Sequence, residues 1–280
     1  MVLEQLRLDG PPRKVVIVTG GSRGLGKAMA ISLAEAGADL CIASRTQEQL
    51  ESAAAEIKAA SGREPLIVRT NVQSREDCDA LIQKTVDHFG RLDVMLNNAG
   101  IGDRRGAGNR IQDLDDADWH DTIEVNLHST FYCSRAAVRH FLKAGGGGNI
   151  VNVASGTALR SAPQSLGYAA AKAGVISLTK SLAAQVIGED IRVNCIIPGY
   201  VAQQPPRDEQ DAEMRKQRGR FITVRRLGEA WELGPLAVFL CSDASSYVTG
   251  ESFVIDGGGL AGGVAPTGLA VTEPAEVSRG

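Results

Sequence analysis

Seven short apolar runs, each rich in β-branched residues, constrain this chain more than any other feature. They fall at residues 15–19, 40–43, 66–68, 94–96, 150–153, 191–197 and 253–255. Each run is continuously apolar instead of alternating, the pattern of a strand buried on both faces of a parallel sheet. Stretches rich in Ala, Leu, Glu and Lys separate them at 25–36, 47–60, 75–89, 117–142, 168–187 and 229–240, and these read as helices. Strand alternating with helix means βαβ units, so the expected fold is α/β, a parallel sheet with helices on both faces. No linker splits the chain. The glycines at 145–148 make a turn too short to separate domains, and 103–109 is a polar, glycine-bearing loop after the fourth strand. The segment 202–220 breaks the pattern with two prolines and many charges, and 261–280 reads as a loosely held tail.

Composition excludes several classes. With 43% hydrophobic and 22% charged residues, and 32 glycines and 10 prolines in 280, the chain is neither collagenous nor low-complexity. It is long enough to bury a large core. Its 30 basic and 33 acidic residues are interspersed, leaving no basic excess for a nucleic-acid backbone. No run of apolar residues reaches membrane-spanning length. Residues 1–14 carry acids and prolines where a signal peptide has an apolar core. Cys41, Cys78, Cys133, Cys195 and Cys241 are scattered and form no CxxC pair, so they read as small core hydrophobes in a reducing cytoplasm. His88, His120, His128 and His140 show no metal-ligand spacing, and no metal site is expected.

After the first run comes Thr19-Gly20-Gly21-Ser22-Arg23-Gly24-Leu25-Gly26, then a helix. Glycines at 20, 24 and 26 allow a tight turn and a close approach of backbone to a pyrophosphate. The helix start adds free N–H groups and the positive end of its dipole. The spacing is GxxxGxG, and its place at the first strand–helix junction of an α/β chain makes it a dinucleotide cradle. The second run ends Ser44-Arg45 with no Asp or Glu at 43–46. A carboxylate there binds a ribose 2′-hydroxyl, whereas an arginine suits a 2′-phosphate. Arg45, helped by Arg23, therefore favours NADP(H) over NAD(H).

Tyr168 and Lys172 are four residues apart, on one face of a helix. A phenol ordinarily ionises near pH 10, and an adjacent ammonium lowers that toward the working range of a general acid/base. Ser155, thirteen residues before Tyr168 and just past a strand, is placed to donate a hydrogen bond to a substrate carbonyl.

Taken with Asn97-Asn98-Ala99-Gly100, Asn126, Pro198-Gly199 and Asp256-Gly257-Gly258, these motifs resemble the short-chain dehydrogenase/reductase family in order and spacing across residues 14–258. The resemblance implies a single doubly wound Rossmann-type domain over 1–280 with a seven-stranded parallel sheet. It also implies a homo-oligomer, dimer or tetramer. It makes Tyr168 the acid/base and Lys172 the group that lowers its pKa and holds the nicotinamide ribose. Ser155 orients the carbonyl, and Asn126 holds a water in a relay to Lys172. Gly20, Ser22, Arg23, Gly24, Leu25, Gly26, Ser44 and Arg45 would hold the adenosine and phosphates, and Asn71 and Val72 the adenine. Asn98, Ala99 and Gly100 would line the cleft, and Pro198, Gly199 and Val201 would approach the nicotinamide. Gln203 stands where the family often has a threonine that bonds the carboxamide. Segment 202–220 becomes a substrate loop, with a lid and a solvated helix both open at 207–220. The overall pattern is most similar to 3-oxoacyl thioester reductases and related ketone reductases. A sugar or polyol dehydrogenase using the same residues is the first alternative, and a non-catalytic nucleotide-binding regulator the second. The expected partner is a small carbonyl or alcohol substrate, with neither nucleic acid nor membrane.

Overall fold

The computed structural model describes residues 2–102, 110–160 and 162–261. The 103–109 loop and all but the first residue of the 261–280 tail lie outside the described residues. All seven apolar runs are strands of one parallel sheet: β1 (Val15–Thr19), β2 (Asp39–Ser44), β3 (Leu66–Arg69), β4 (Val94–Asn97), β5 (Gly148–Val153), β6 (Ile191–Pro198) and β9 (Ser252–Ile255). The order across it is β3-β2-β1-β4-β5-β6-β9. Val16 pairs with Leu40 on one side and Val94 on the other, so β1 lies inside the sheet.

Side-chain alternation along the strands divides the core in two. Val16, Val18, Leu40, Ile42, Leu96 and Val151 face α2 (Gly24–Glu35), α3 (Gln47–Ser61) and α9 (Gly234–Cys241), meeting Met29, Leu33, Leu50, Ile57 and Leu240. Val15, Ile17, Met95, Ile150 and Val193 face α4 (Arg75–Phe89), α6 (Ser129–Lys143) and α7 (Leu166–Val186), meeting Leu81, Ile82, Ala137, Phe141 and Val186. Both faces are covered, which is why the strands carry no polar alternation. Helix boundaries follow local chemistry. Ser74 caps α4 by accepting from the Asp77 N–H at 3.0 Å, and α4 stops at Gly90, whose φ of 78° is left-handed. All five cysteines are buried, and burial pushes the Cys41 thiol up to about 12 and that of Cys195 to about 11.

Local features refine the sequence expectation. The helix expected at 117–142 is α5 (Asp116–Ile123) and α6 joined through a π-helical turn at Glu124–His128. On α5, Asp118 and Thr122 face inward and Trp119 is half-buried. The charged 207–220 stretch carries α8 (Glu209–Gly219), capped by Asp208 and polar around almost its whole surface. Beside it, β7 (Val201–Ala202) pairs with β8 (Gly228–Glu229). A four-residue helix, α1 (Val2–Gln5), precedes the sheet.

The sheet order reverses between β1 and β4. Crossovers leave on opposite faces there, and a crevice opens at the carboxyl ends of those two strands.

Candidate active site

Two clefts meet at that crevice. The first, about 320 Å³, runs across the carboxyl ends of β1, β2, β3 and β4. The turn after β1 sets its floor. Gly20 has a φ of 66°, and a Cβ on Gly26 would lie 2.3 Å from both the Gly20 carbonyl oxygen and Asn98 Nδ2, so no larger residue fits. Thr19, buried at the end of β1, ties this turn to the loop after β4. Its Oγ1 accepts from the N–H groups of Asn98 and Ala99, both at 3.1 Å, and Asn98 Nδ2 donates back to the Thr19 carbonyl at 3.0 Å. Two glycine-bearing loops are thereby clamped face to face.

Among the described residues, the cationic ones lining this cleft are Arg23, Arg45 and Lys172, and no carboxylate lines it. Arg23 and Arg45 are exposed and have no ion-pair partner among the described residues. The expected residues Gly20, Ser22, Leu25, Gly26, Ser44, Asn71, Val72, Asn98, Ala99, Gly100 and Tyr168 also line it. So do Thr46, Gln49, Thr70 and Gln73, which the sequence reading does not single out. Register explains their arrival. Ser44 pairs with Arg69, which sets the loops after β2 and β3 side by side. Gln203 lines the cleft too, its Oε1 2.8 Å from where a Cβ on Gly24 would sit. The longer side chain in place of a threonine therefore reaches the glycine turn itself.

Four expected cofactor residues do not line this cleft. Pro198 and Gly199 line the second cleft. Val201 is half-buried in β7, where it pairs with Gly228 and packs against the core. Gly24 starts α2 beneath Gln203 and lines neither cleft.

The second cleft, about 220 Å³, is lined by Ser155, Thr157, Arg160, Pro198, Tyr200, Ile222, Asp256 and Leu260 among others. Tyr168, near the start of α7, lines both clefts. One turn further on, Lys172 is 3% exposed. Its Nζ donates to the Val153 carbonyl at 2.9 Å and sits 5.7 Å from the centre of the Tyr168 ring. Burial pushes this ammonium down to about 8. Ser155 lies two residues past β5, and its Oγ accepts from the Thr157 N–H at 3.3 Å and the Thr157 hydroxyl at 3.0 Å.

Asn126 lies in the π turn and is fully buried. Its Nδ2 donates to the carbonyls of Ile101 (2.8 Å) and Thr122 (2.9 Å), and its Oδ1 accepts from the Ile101 N–H (3.2 Å). The side chain is thus spent on the loop after β4, and the π turn aims it there. Gly100 sits between Asn126 and Lys172. A Cβ there would meet Asn126 Oδ1 at 2.7 Å and Lys172 Nζ at 3.4 Å. Among the described residues no group of three or more His, Cys, Asp or Glu is placed to hold a metal.

A glycine-floored cleft at a topological switch point, opening beside a tyrosine–lysine pair and a serine, defines an oxidoreductase of the Rossmann type. The family described as enoyl-(acyl carrier protein) reductase matches residues 20–259. The 2-dehydro-3-deoxy-D-gluconate 5-dehydrogenase of Escherichia coli (strain K12) is 35% identical over 266 residues, covering 93% of this chain and 100% of its own. The 3-oxoacyl-(acyl-carrier-protein) reductase of Thermotoga maritima is 35% identical over 254 residues, covering 90% and 99%. Among solved structures, the NADPH-dependent 3-quinuclidinone reductase of Rhodotorula rubra superposes with a TM-score of 0.81 at 32% identity, covering 92% of this chain and 94% of that one. The chain belongs to the short-chain dehydrogenase/reductase family.

Proposed function

We propose that the protein is an NADP(H)-dependent oxidoreductase that interconverts a ketone and a secondary alcohol, with Tyr168 as the proton donor and acceptor. The observation that carries this reading is the position of Tyr168 on the wall shared by both clefts, with the buried Lys172 ammonium behind its ring. When bound, the dinucleotide supplies the hydride. The chain's own residues do the rest. The Lys172 charge, in a site of low effective dielectric, favours the phenolate and brings the phenol's proton within reach of neutral pH. Thr157 holds Ser155 Oγ through its N–H at 3.3 Å and its hydroxyl at 3.0 Å, and the serine hydroxyl donates to the substrate oxygen. Asn126 positions the Gly100–Ile101 backbone against Lys172.

NADP(H) is preferred because a cleft lined by Arg23 and Arg45, and by no carboxylate among the described residues, suits a 2′-phosphate. The neighbour from Rhodotorula rubra is named as NADPH-dependent. For the substrate, a 3-oxoacyl thioester is the first reading, in keeping with the relative from Thermotoga maritima. A sugar-acid substrate is the second, favoured by the cation Arg160 in the substrate cleft and by the name of the E. coli relative. The protein acts as a cytoplasmic homo-oligomer, and a monomeric mass in light scattering would overturn that assembly.

NADPH oxidation is measured against a 3-oxoacyl thioester, a diketone, an aryl ketone and a keto-sugar acid. Turnover on at least one is expected. Tyr168→Phe should lower it by about 10²-fold or more while NADPH binding persists. Turnover unaffected by Tyr168→Phe would remove the tyrosine from the chemistry.

A further inference from the structure

The second cleft contains one cation with no carboxylate partner among the described residues. Its other walls are mostly apolar or backbone, Pro198, Ile222, Leu260 and the glycines beside them, with the Thr157 hydroxyl at one side and the Ser155 and Tyr168 hydroxyls as the reacting end. Two ionised side chains line it. Asp256 is already committed, since its Oδ1 accepts from the Gly258 N–H at 2.9 Å and its Oδ2 from the Leu260 N–H at 2.7 Å. Arg160 is not committed. Among the described residues it has no carboxylate partner, and its guanidinium lies over the ring of Tyr200, 5.2 Å from the centroid. Tyr200 is itself half-exposed at the same cleft. An arginine free to sweep through solvent fixes nothing, but one laid on an aromatic face keeps its plane and its fork of N–H donors in place.

We propose that Arg160, braced on Tyr200, binds the carboxylate of a keto-acid or hydroxy-acid substrate whose carbonyl or hydroxyl carbon sits at Ser155 and Tyr168. This rests on the oxidoreductase reading of the same cleft and takes an acid, the second of its two substrate readings, over the thioester. Arg160 lines the substrate cleft and not the dinucleotide cleft, so its anion belongs to the substrate and not to the cofactor. A single guanidinium matches a monoanion with two parallel hydrogen bonds; a phosphate dianion would keep half its charge unmatched. A cavity of about 220 Å³ suits a compact acid.

The test uses 4-oxopentanoate, 5-oxohexanoate and the methyl ester of each, so that charge changes while the ketone does not. Binding is measured by calorimetry to the enzyme with NADP⁺, where no hydride is available, and turnover is measured with NADPH. Wild type should bind at least one acid about 10- to 100-fold more tightly than its ester. That preference should shrink in 0.5 M salt. Arg160→Gln should reduce it to within about twofold by weakening the acid far more than the ester. Arg160→Lys should restore part of it, which separates lost charge from lost folding. Tyr200→Phe should keep the preference, and Tyr200→Ala should lower it several-fold. Equal affinity for acid and ester in wild type, a preference that survives Arg160→Gln, or failure of both acids to bind overturns the proposal. Acid binding that depends on Arg160 with no NADPH oxidation would leave this site standing and sink the oxidoreductase reading. Reduction of the ester with no preference for the acid would do the reverse.

Discussion

Lys172 is where function and stability conflict most directly. Burial holds its pKa at about 8, against 10.5 for the free side chain. Below pH 8 the lysine is protonated in both folded and unfolded protein, and the folded state carries the full cost of the buried charge, about 3 kcal/mol. Between pH 8 and 10.5 the unfolded chain keeps a proton that the folded one has released, so this contribution to stability rises with pH and the penalty fades. Lys172→Met should therefore stabilise the protein at pH 7, by about 2 kcal/mol once the lost hydrogen bond to the Val153 carbonyl is allowed for. The gain should vanish near pH 10.5, while turnover is lost at every pH. Urea unfolding of both proteins at pH 7 and 10 checks this. A variant less stable than wild type at pH 7 would mean the ammonium is better solvated than its burial indicates. Arg45 makes a second residue-scale prediction. Arg45→Asp should weaken NADPH binding by about 10- to 100-fold and NADH binding little, because only the former loses a charge-assisted phosphate contact. Equal losses in fluorescence titrations would show that Arg45 does not read the phosphate.

At the scale of elements, the Thr19 clamp makes one site out of two loops. Its hydroxyl oxygen is the acceptor for two N–H groups of the loop after β4. Thr19→Val keeps the shape and leaves both donors without a partner, so a loss of about 2–4 kcal/mol is expected, with Thr19→Ser close to wild type. Urea midpoints with an unchanged slope would report this, and a loss under 0.5 kcal/mol would mean the loops do not depend on the clamp. The same scale explains what the sequence reveals. Seven strands buried on both faces write continuous apolar runs, and all seven are legible, as are the glycine turn and the Tyr168–Lys172 spacing. The pairs β7 and β8 span two residues each, too short to carry a period. Helix α8 has almost no apolar face to announce it. The π turn at Glu124–His128 inserts no unusual residue, so 117–142 reads as one helix. Within the site, Thr46 precedes α3, Gln49 lies in its first turn, Thr70 is buried just past β3 and Gln73 is half-buried beyond it, and they acquire meaning only through the β2–β3 register. Arg160 belongs to no motif, and only its place in a turn closely following Ser155 could have flagged it.

Across the whole molecule, the dinucleotide cleft joins the β1–β3 half of the sheet to the half that carries β4, β5 and α7. A ligand that touches both halves in the folded state, and neither in the unfolded chain, stabilises the entire fold through its free concentration. At a hundred times its dissociation constant the gain is about 2.7 kcal/mol. For a domain of this size that corresponds to a rise of roughly 5–10 °C in Tm. Because the charged side chains among the described lining residues are all cationic, the reduced dinucleotide with a 2′-phosphate should give the larger rise at equal concentration. Raising the ionic strength from 0.05 to 0.5 M should narrow the difference, since the phosphate attraction is screened while the stacking and backbone contacts shared by the two dinucleotides are not. Thermal melts with NADPH and NADH at the two salt concentrations measure all of this at once. A larger rise with NADH would reverse the cofactor assignment, and identical rises at both salts would show that Arg23 and Arg45 face solvent instead of the ligand.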